Sequence, residues 1–150
     1  MKPTLRRSGL CLCLLLVSGN ALAQATPAGA WKTIDDNTKK EKSLVRIVEA
    51  GGIYTGKVER VLDPDSPKDA VCKDCTDDRK DQPVVGMTII RNMKASGDKA
   101  VFEGGDILDP NNGKVYSAKL TLVDGGKKLD VRGYIGMPML GRTQTWQRVE

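Results

Sequence analysis

Residues 116–134 read YSAKLTLVDGGKKLDVRGY, and this stretch decides the fold. Apolar and polar residues alternate over 116–122, and the same alternation returns over 129–134. Because successive side chains of a β-strand point to opposite faces, each run predicts a strand with one buried face. Asp124-Gly125-Gly126 lies between the runs and is a hairpin signal, since glycine tolerates positive φ. The stretch therefore predicts two paired antiparallel strands.

Further short runs of the same kind fill the rest of the chain, and no stretch of about twelve residues keeps apolar side chains at helical spacing. The runs are Trp31–Ile34, Ser43–Glu49, Ile53–Leu62, Met87–Met93, Ala100–Ile107 and Gly141–Val149. Turn signals such as Ala50-Gly51-Gly52 and Asn111-Asn112-Gly113 separate several of them. About eight strands joined mostly by short hairpins predict an all-β, antiparallel up-and-down barrel, with a two-sheet sandwich as the alternative.

The N-terminal segment, residues 1–23, is typical of a cleavable signal peptide. It carries three early basic residues, a short apolar run over 9–17 and the small-x-small sequence Ala21-Leu22-Ala23. The apolar run is shorter than the roughly 20 residues that a spanning helix needs, which disfavours a retained membrane anchor. We therefore expect an exported, periplasmic protein whose single domain is residues 24–150, with no stable membrane anchor.

Composition excludes several kinds of chemistry. The chain has no histidine, which removes Ser-His-Asp and Cys-His catalysis and His-ligated zinc. Its formal charge of +5 falls to +2 without residues 1–23, which hold three basic residues and no acid. This charge supplies no basic stripe for phosphates, so we expect no nucleic-acid partner. The acid-rich turns at 63–69 and 106–111 lack the spacing of an EF-hand, and we expect neither a metal nor a cofactor.

The long connection at 63–83 contains the pair Cys72-Lys73-Asp74-Cys75. An exported protein meets oxidants, so a structural disulfide that pins this connection is the first interpretation. A redox-active pair would need a lowered thiol pKa, whereas Asp74 and the acids at 77–78 oppose a thiolate. Half of a metal site is the third interpretation, although a zinc site needs four ligands and the chain has no second such pair.

Two other features concern the ends of the predicted barrel. The connection at 133–141 is apolar and places Met137 and Met139 around a proline; it would either fold inward as a plug or stay exposed as a binding lip. Trp31, in Gly29-Ala30-Trp31, would close the other end of the barrel, with Arg148 or Arg142 stacked on its ring.

These residues together resemble a widespread family of small exported bacterial proteins that is known only as a domain of unknown function with a lipocalin-like barrel. The matching segments are 29–31, 35–38, 71–75, 83–87, 104–110, 113–116, 131–136 and 141–148. The resemblance implies a lipocalin-like barrel and a periplasmic location, and it supplies no catalytic residue. The sequence ends at Glu150, directly after the last predicted strand, so we expect no lipocalin-type C-terminal helix. This departure weakens the inference of a deep, lipocalin-type cavity.

Three functions are compatible with these observations. The first is a periplasmic module that binds a small apolar or amphipathic ligand in its barrel, and the second is an envelope module that contacts another protein and binds no small ligand. The third is an enzyme that uses thiols or carboxylates, such as Asp35–Asp36 or Glu103 with Asp106. Of the three functions we favour this one least, and we assign no catalytic residue. The residues assigned to ligand binding are Trp31, Tyr116, Tyr134, Met137, Met139, Arg142 and Trp146.

Overall fold

A computed structural model describes residues 25–150 of the chain. The predicted signal peptide, residues 1–23, lies outside the described residues. The eight strands are β1 (Gly29–Ile34), β2 (Glu41–Ala50), β3 (Ile53–Val61), β4 (Thr88–Ala95), β5 (Val101–Asp109), β6 (Lys114–Val123), β7 (Lys128–Tyr134) and β8 (Arg142–Arg148). Short 3-10 turns occupy Asp124–Gly126 and Pro138–Leu140. In this part of the chain no helix has the length and apolar character needed to cross a membrane.

The strands form one closed antiparallel barrel in which each strand pairs with its neighbours in sequence. The prediction of an eight-stranded up-and-down barrel is confirmed, and the sandwich alternative is wrong. The two strands of 116–134 pair as expected, and their register places Leu120 opposite Val131 and Leu122 opposite Leu129. Because one face of each strand is buried, a slip of one residue would expose that whole face.

The ends of the barrel differ in their connections. The lower end carries three short hairpin turns, residues 25–28 and the C-terminal residues 149–150. The upper end carries the connections at 35–40, 62–87, 110–113 and 135–141. The two longest connections, 62–87 and 135–141, are therefore both at the upper end.

The lower end is closed by Trp31 and Arg148, which lie opposite each other where β1 meets β8. The Arg148 guanidinium lies 4.2 Å from the centre of the Trp31 ring. Of the two arginines expected to stack on this ring, Arg148 does so and Arg142 does not. Trp31 is fully buried, and its indole N–H donates to the carbonyl of Pro27 at 2.8 Å. A cation on the face of a tryptophan is attractive, and more so when both groups are desolvated.

Arg148 also ties β8 to two other parts of the lower end, the turn that contains Gly126 and residues 25–28. It donates hydrogen bonds to the carbonyls of Gly126, Ala28 and Thr26 at 2.7, 2.8 and 2.6 Å. Burial lowers the pKa of this guanidinium. The carbonyls compensate for part of that lost hydration, because hydrogen bonds from a charged donor are stronger than neutral ones.

Replacing Arg148 with alanine should lower the free energy of unfolding by about 3 kcal/mol, because the ring contact and three charge-assisted hydrogen bonds are lost together. Urea denaturation followed by tryptophan fluorescence would measure the change. Arg148→Lys is the matched control: it keeps the charge without the planar fork, so it should recover only part of the loss. Equal stability of Arg148→Lys and the wild type would show that the guanidinium geometry is unimportant.

Candidate functional site at the upper end of the barrel

The lower part of the barrel interior is filled by its own side chains. The inward-facing residues there are Trp31, Val45, Ile47, Tyr54, Val58, Ile90, Met93, Phe102, Leu120, Leu122, Leu129, Val131 and Trp146, each exposed by 9% or less. Tyr54 and Phe102 meet edge to face with ring centres 5.0 Å apart. An eight-stranded barrel is just wide enough to be filled in this way. This part of the interior is a packed core.

The inward-facing residues at the upper end are more polar and mostly only half-buried. We call this set the mouth; its members are Thr33, Ser43, Val61, Ile107, Asp109, Tyr116, Gly133, Arg142 and Gln144. The hydroxyls of Thr33 and Ser43 share a hydrogen bond at 2.9 Å. The Asn112 amide donates to the Tyr116 hydroxyl at 3.2 Å from the rim. The mouth thus offers hydroxyl, amide and guanidinium groups above an apolar floor.

Gly133 leaves space in the mouth. A Cβ at this position would lie 3.4 Å from Cβ of Tyr116 and 3.6 Å from Cγ2 of Ile107, which are ordinary contact distances. Ala118, beside Gly133 in the register, is also small. The wall formed by β6 and β7 therefore carries only small residues, Ala118 and Gly133, where the packed core gives way to the mouth.

Arg142 lies at the rim of the mouth and forms a two-pronged ion pair with Asp36 in the connection between β1 and β2. Its Nε donates to one carboxylate oxygen at 2.6 Å, and its Nη2 donates to the other. This pairing lowers the pKa of Asp36 and raises that of Arg142. Planar guanidinium and carboxylate groups match each other in this geometry. The pair links the two ends of the chain across the seam between β1 and β8.

The neighbouring acid, Asp35, has a separate role. Its carboxylate accepts hydrogen bonds from the backbone N–H groups of Asn37 and Thr38 and from the Thr38 hydroxyl, and the Thr38 N–H contributes most to its lowered pKa. An aspartate that accepts from the backbone two and three residues on is ordinary turn chemistry. The turn at 35–40 is thus held by Asp35, independently of Asp36.

The connection at 62–87 covers the outside of β4 and β5. The chain contains the predicted Cys72–Cys75 disulfide, with both residues exposed by no more than 2%. Leu108 faces outward yet is only 2% exposed, because this connection lies over it. A Cβ at Gly113 would collide with the carbonyl of Asp74, which shows how closely the connection sits on the 110–113 turn. The burial of both sulfurs fits the structural interpretation better than the redox one, since reactive cysteines are accessible.

Two arginines fix the same connection to β4. Arg79 is only 5% exposed; it pairs with Asp77 and donates to the Thr88 carbonyl at 3.0 Å. The hydrogen bonds from Arg79 lower the pKa of Asp77 to about 2. Arg91, on β4, makes a two-pronged pair with Asp78.

Two open grooves of about 290 Å³ each flank this connection on the outer surface. One lies between residues 78–88 and Arg91, and the other between Val85 and the outer side of β2 and β3. Val85 and Gly86 line both grooves. These hollows are outside the barrel, so neither is a lipocalin-type internal cavity.

The apolar connection at 135–141 stays outside the barrel, and the plug alternative is wrong. Ile135, Met137, Met139 and Leu140 are 66%, 53%, 73% and 75% exposed. The outward-facing Arg132 donates to the carbonyls of Pro138 and Met139. These hydrogen bonds hold the connection against the outside of β7 and away from the mouth.

The structure divides the seven predicted ligand-binding residues among three places. Trp31 and Trp146 are buried in the packed core, and only Tyr116 and Arg142 belong to the mouth. The other three, Tyr134, Met137 and Met139, lie on the outer side. Sequence reasoning missed Thr33, Ser43 and Gln144, although the alternation that predicted the inward face of each strand also includes them.

The carboxylates considered for catalysis do not form one cluster. Asp35 and Asp36 are engaged at the upper end as described, while Glu103 and Asp106 lie opposite Lys94 and Arg91 on the neighbouring strand. Among residues 25–150, no three acidic or cysteine side chains are grouped so that they could hold a metal ion.

Barrel geometry of this kind is a lipocalin-like fold. Protein HP1028 from Helicobacter pylori, described as belonging to the lipocalin family, has the same fold with a TM-score of 0.70. The match covers 84% of each chain at 20% sequence identity, and this likeness shows the fold alone.

The family described as "Uncharacterized protein conserved in bacteria (DUF2147)" matches residues 29–148. The chain belongs to this family, and the expected family resemblance is confirmed. Comparison with curated proteins gave no match.

Replacing both Cys72 and Cys75 with serine should lower the free energy of unfolding by about 2 kcal/mol, the loop-closure value for so short a ring. Neither residue belongs to a barrel strand, so the far-ultraviolet circular dichroism should be unchanged. Protease cleavage within 62–87 should become faster, which timed proteolysis and mass spectrometry would detect. Unchanged resistance would show that Arg79 and Arg91 hold the connection without the disulfide.

Proposed function

We propose that this protein is an exported binding module that receives a small amphipathic ligand at the mouth of its barrel. The closed lipocalin-like barrel and membership of the DUF2147 family support the proposal in general terms. The observation that carries it is the change along the barrel axis from a packed apolar core to a half-buried mouth with hydroxyl, amide and guanidinium groups.

This arrangement favours an amphipathic ligand over a wholly apolar one. A ligand entering from the upper end meets polar groups at the rim first, including Arg142 and Gln144. Its apolar part would then rest on Ile107, on the Tyr116 ring and on the wall at Gly133. Ligand sites commonly combine an apolar surface with a few placed polar groups. The filled lower core limits such a ligand to a shallow position.

A fluorescent apolar probe, N-phenyl-1-naphthylamine, tests whether the mouth is the site. The wild type should enhance its fluorescence saturably, and Gly133→Leu should weaken binding by about tenfold, because the new side chain occupies the space beside Tyr116 and Ile107. Fluorescence titration at constant protein concentration would measure both affinities.

The matched control is Ser117→Leu, which adds a larger apolar side chain at an exposed, outward-facing position on β6. It should bind the probe as the wild type does. Equal binding by Gly133→Leu and Ser117→Leu would place the probe elsewhere, and a wild type that binds no amphipathic compound would refute the proposal.

A second candidate function is contact with an envelope protein through the connection at 135–141. It is favoured by the four exposed apolar side chains there, since contiguous exposed apolar patches often mark interaction sites. A photo-crosslinking residue at Met139 should then capture one defined protein in intact cells, while the same residue at Lys119, on the outer side of β6, should not. Capture of nothing from Met139 would remove this candidate.

Export is the part of the proposal that rests on residues 1–23. The mass of the protein recovered from a periplasmic extract should correspond to a chain that begins at Gln24. A full-length mass, or recovery in the cytoplasmic fraction alone, would contradict export.

A further inference from the structure

We infer that Arg142 receives the carboxylate head group of an anionic amphipathic ligand, and that Asp36 occupies this guanidinium when the ligand is absent. The inference rests on the proposed function and adds the chemical class of the ligand. It begins from the two-pronged Arg142–Asp36 pair at the rim of the mouth.

Arg142 is positioned to bind a ligand that enters the barrel. It belongs to the same face of β8 as Gln144 and Trp146, and Trp146 is buried in the packed core. The guanidinium therefore rises from the inner face at the upper end of the strand. Its Nε and Nη2 both bind one carboxylate, which is the arrangement that a ligand carboxylate would adopt.

Exchanging Asp36 for another carboxylate requires little. The side chains of Arg142 and Asp36 are 59% and 26% exposed, and an ion pair this accessible shifts an equilibrium by no more than about fivefold. Asp35 holds the 35–40 turn through its own hydrogen bonds, so the turn keeps its shape when Asp36 leaves. The apolar part of the ligand would shield the guanidinium from water, so the ligand carboxylate would pair with Arg142 more strongly than Asp36 does in the solvent-exposed ion pair.

The seam between β1 and β8 explains how the mouth can widen. The register pairs of these strands are Trp31 with Arg148 and Lys32 with Gln147, both toward the lower end. Hydrogen bonds from Ala30 to Glu150 and from Val149 to Ala30 extend the pairing further downward. At the upper end the Arg142–Asp36 pair spans the same seam. Release of Asp36 would therefore free the upper part of β1 from β8 while the lower end stays closed.

Decanoate and 1-decanol test the inference, because they share a chain length and differ in the charge of the head group. Each would displace N-phenyl-1-naphthylamine from the wild type, Arg142→Gln and Asp36→Asn. Decanoate should bind the wild type more tightly than decanol does. Arg142→Gln should weaken decanoate about tenfold without changing decanol, and Asp36→Asn should strengthen decanoate about threefold to fivefold.

Lys42→Gln is the matched control, since it removes a second ion pair at the upper end, between Lys42 and Asp63 of the long connection. It should leave both affinities unchanged. Near-ultraviolet circular dichroism of the two buried tryptophans would report folding of each variant. Should Arg142→Gln fail to fold, Arg142→Lys serves instead, because it keeps the charge and loses the fork; decanoate should then weaken by a smaller factor.

The outcomes separate the two levels of the proposal. Equal affinity for decanoate and decanol, or an Arg142 variant that binds decanoate as the wild type does, would overturn the head-group assignment and leave the binding module intact. Failure of the wild type to bind the probe and both compounds would refute the binding module itself. Asp36→Asn that weakens decanoate would show that Asp36 supports the site and does not compete for it.

Discussion

The contact between Arg148 and Trp31 is the interaction on which the rest of the molecule depends. It joins the first strand to the last at residues 31 and 148, and it seals the lower end with a cation that needs no acidic partner. Because that end is sealed and packed, solvent reaches the inward faces of the strands from the upper end. The polar mouth at the upper end follows from this closure, since water reaches the inward face there alone.

The long connection at 62–87 stabilises the barrel from outside and leaves its interior unchanged. It adds a second layer of buried apolar residues, in which Cys72, Cys75 and Leu108 take part, and Arg79 ties it to the start of β4. Leu108 lies on the outer face of the barrel, where it would be exposed to solvent without the connection. The position of the connection also creates the two outer grooves beside Val85.

Much of the fold could be predicted from alternation and turn chemistry, because both are local. The 116–134 hairpin forms as predicted, all eight strands lie near their predicted positions, and the stacking of an arginine on Trp31 is among the expected contacts. The boundaries of β4 differ slightly from the predicted run, since the strand extends from Thr88 to Ala95. The site was harder to predict. Asp36 and Arg142 are 106 residues apart, and nothing local marks them as partners. The direction of the 135–141 connection depends on hydrogen bonds from Arg132 to backbone carbonyls, and composition does not reveal such bonds.

The methionines of the described chain fall into two environments. Met87 and Met93 are 5% and 0% exposed, whereas Met137 and Met139 are more than half exposed on one connection. Peroxide converts an accessible thioether into a polar, chiral sulfoxide far sooner than a shielded one. Oxidation would therefore make the exposed 135–141 connection more polar and leave the buried methionines, and the fold around them, unchanged.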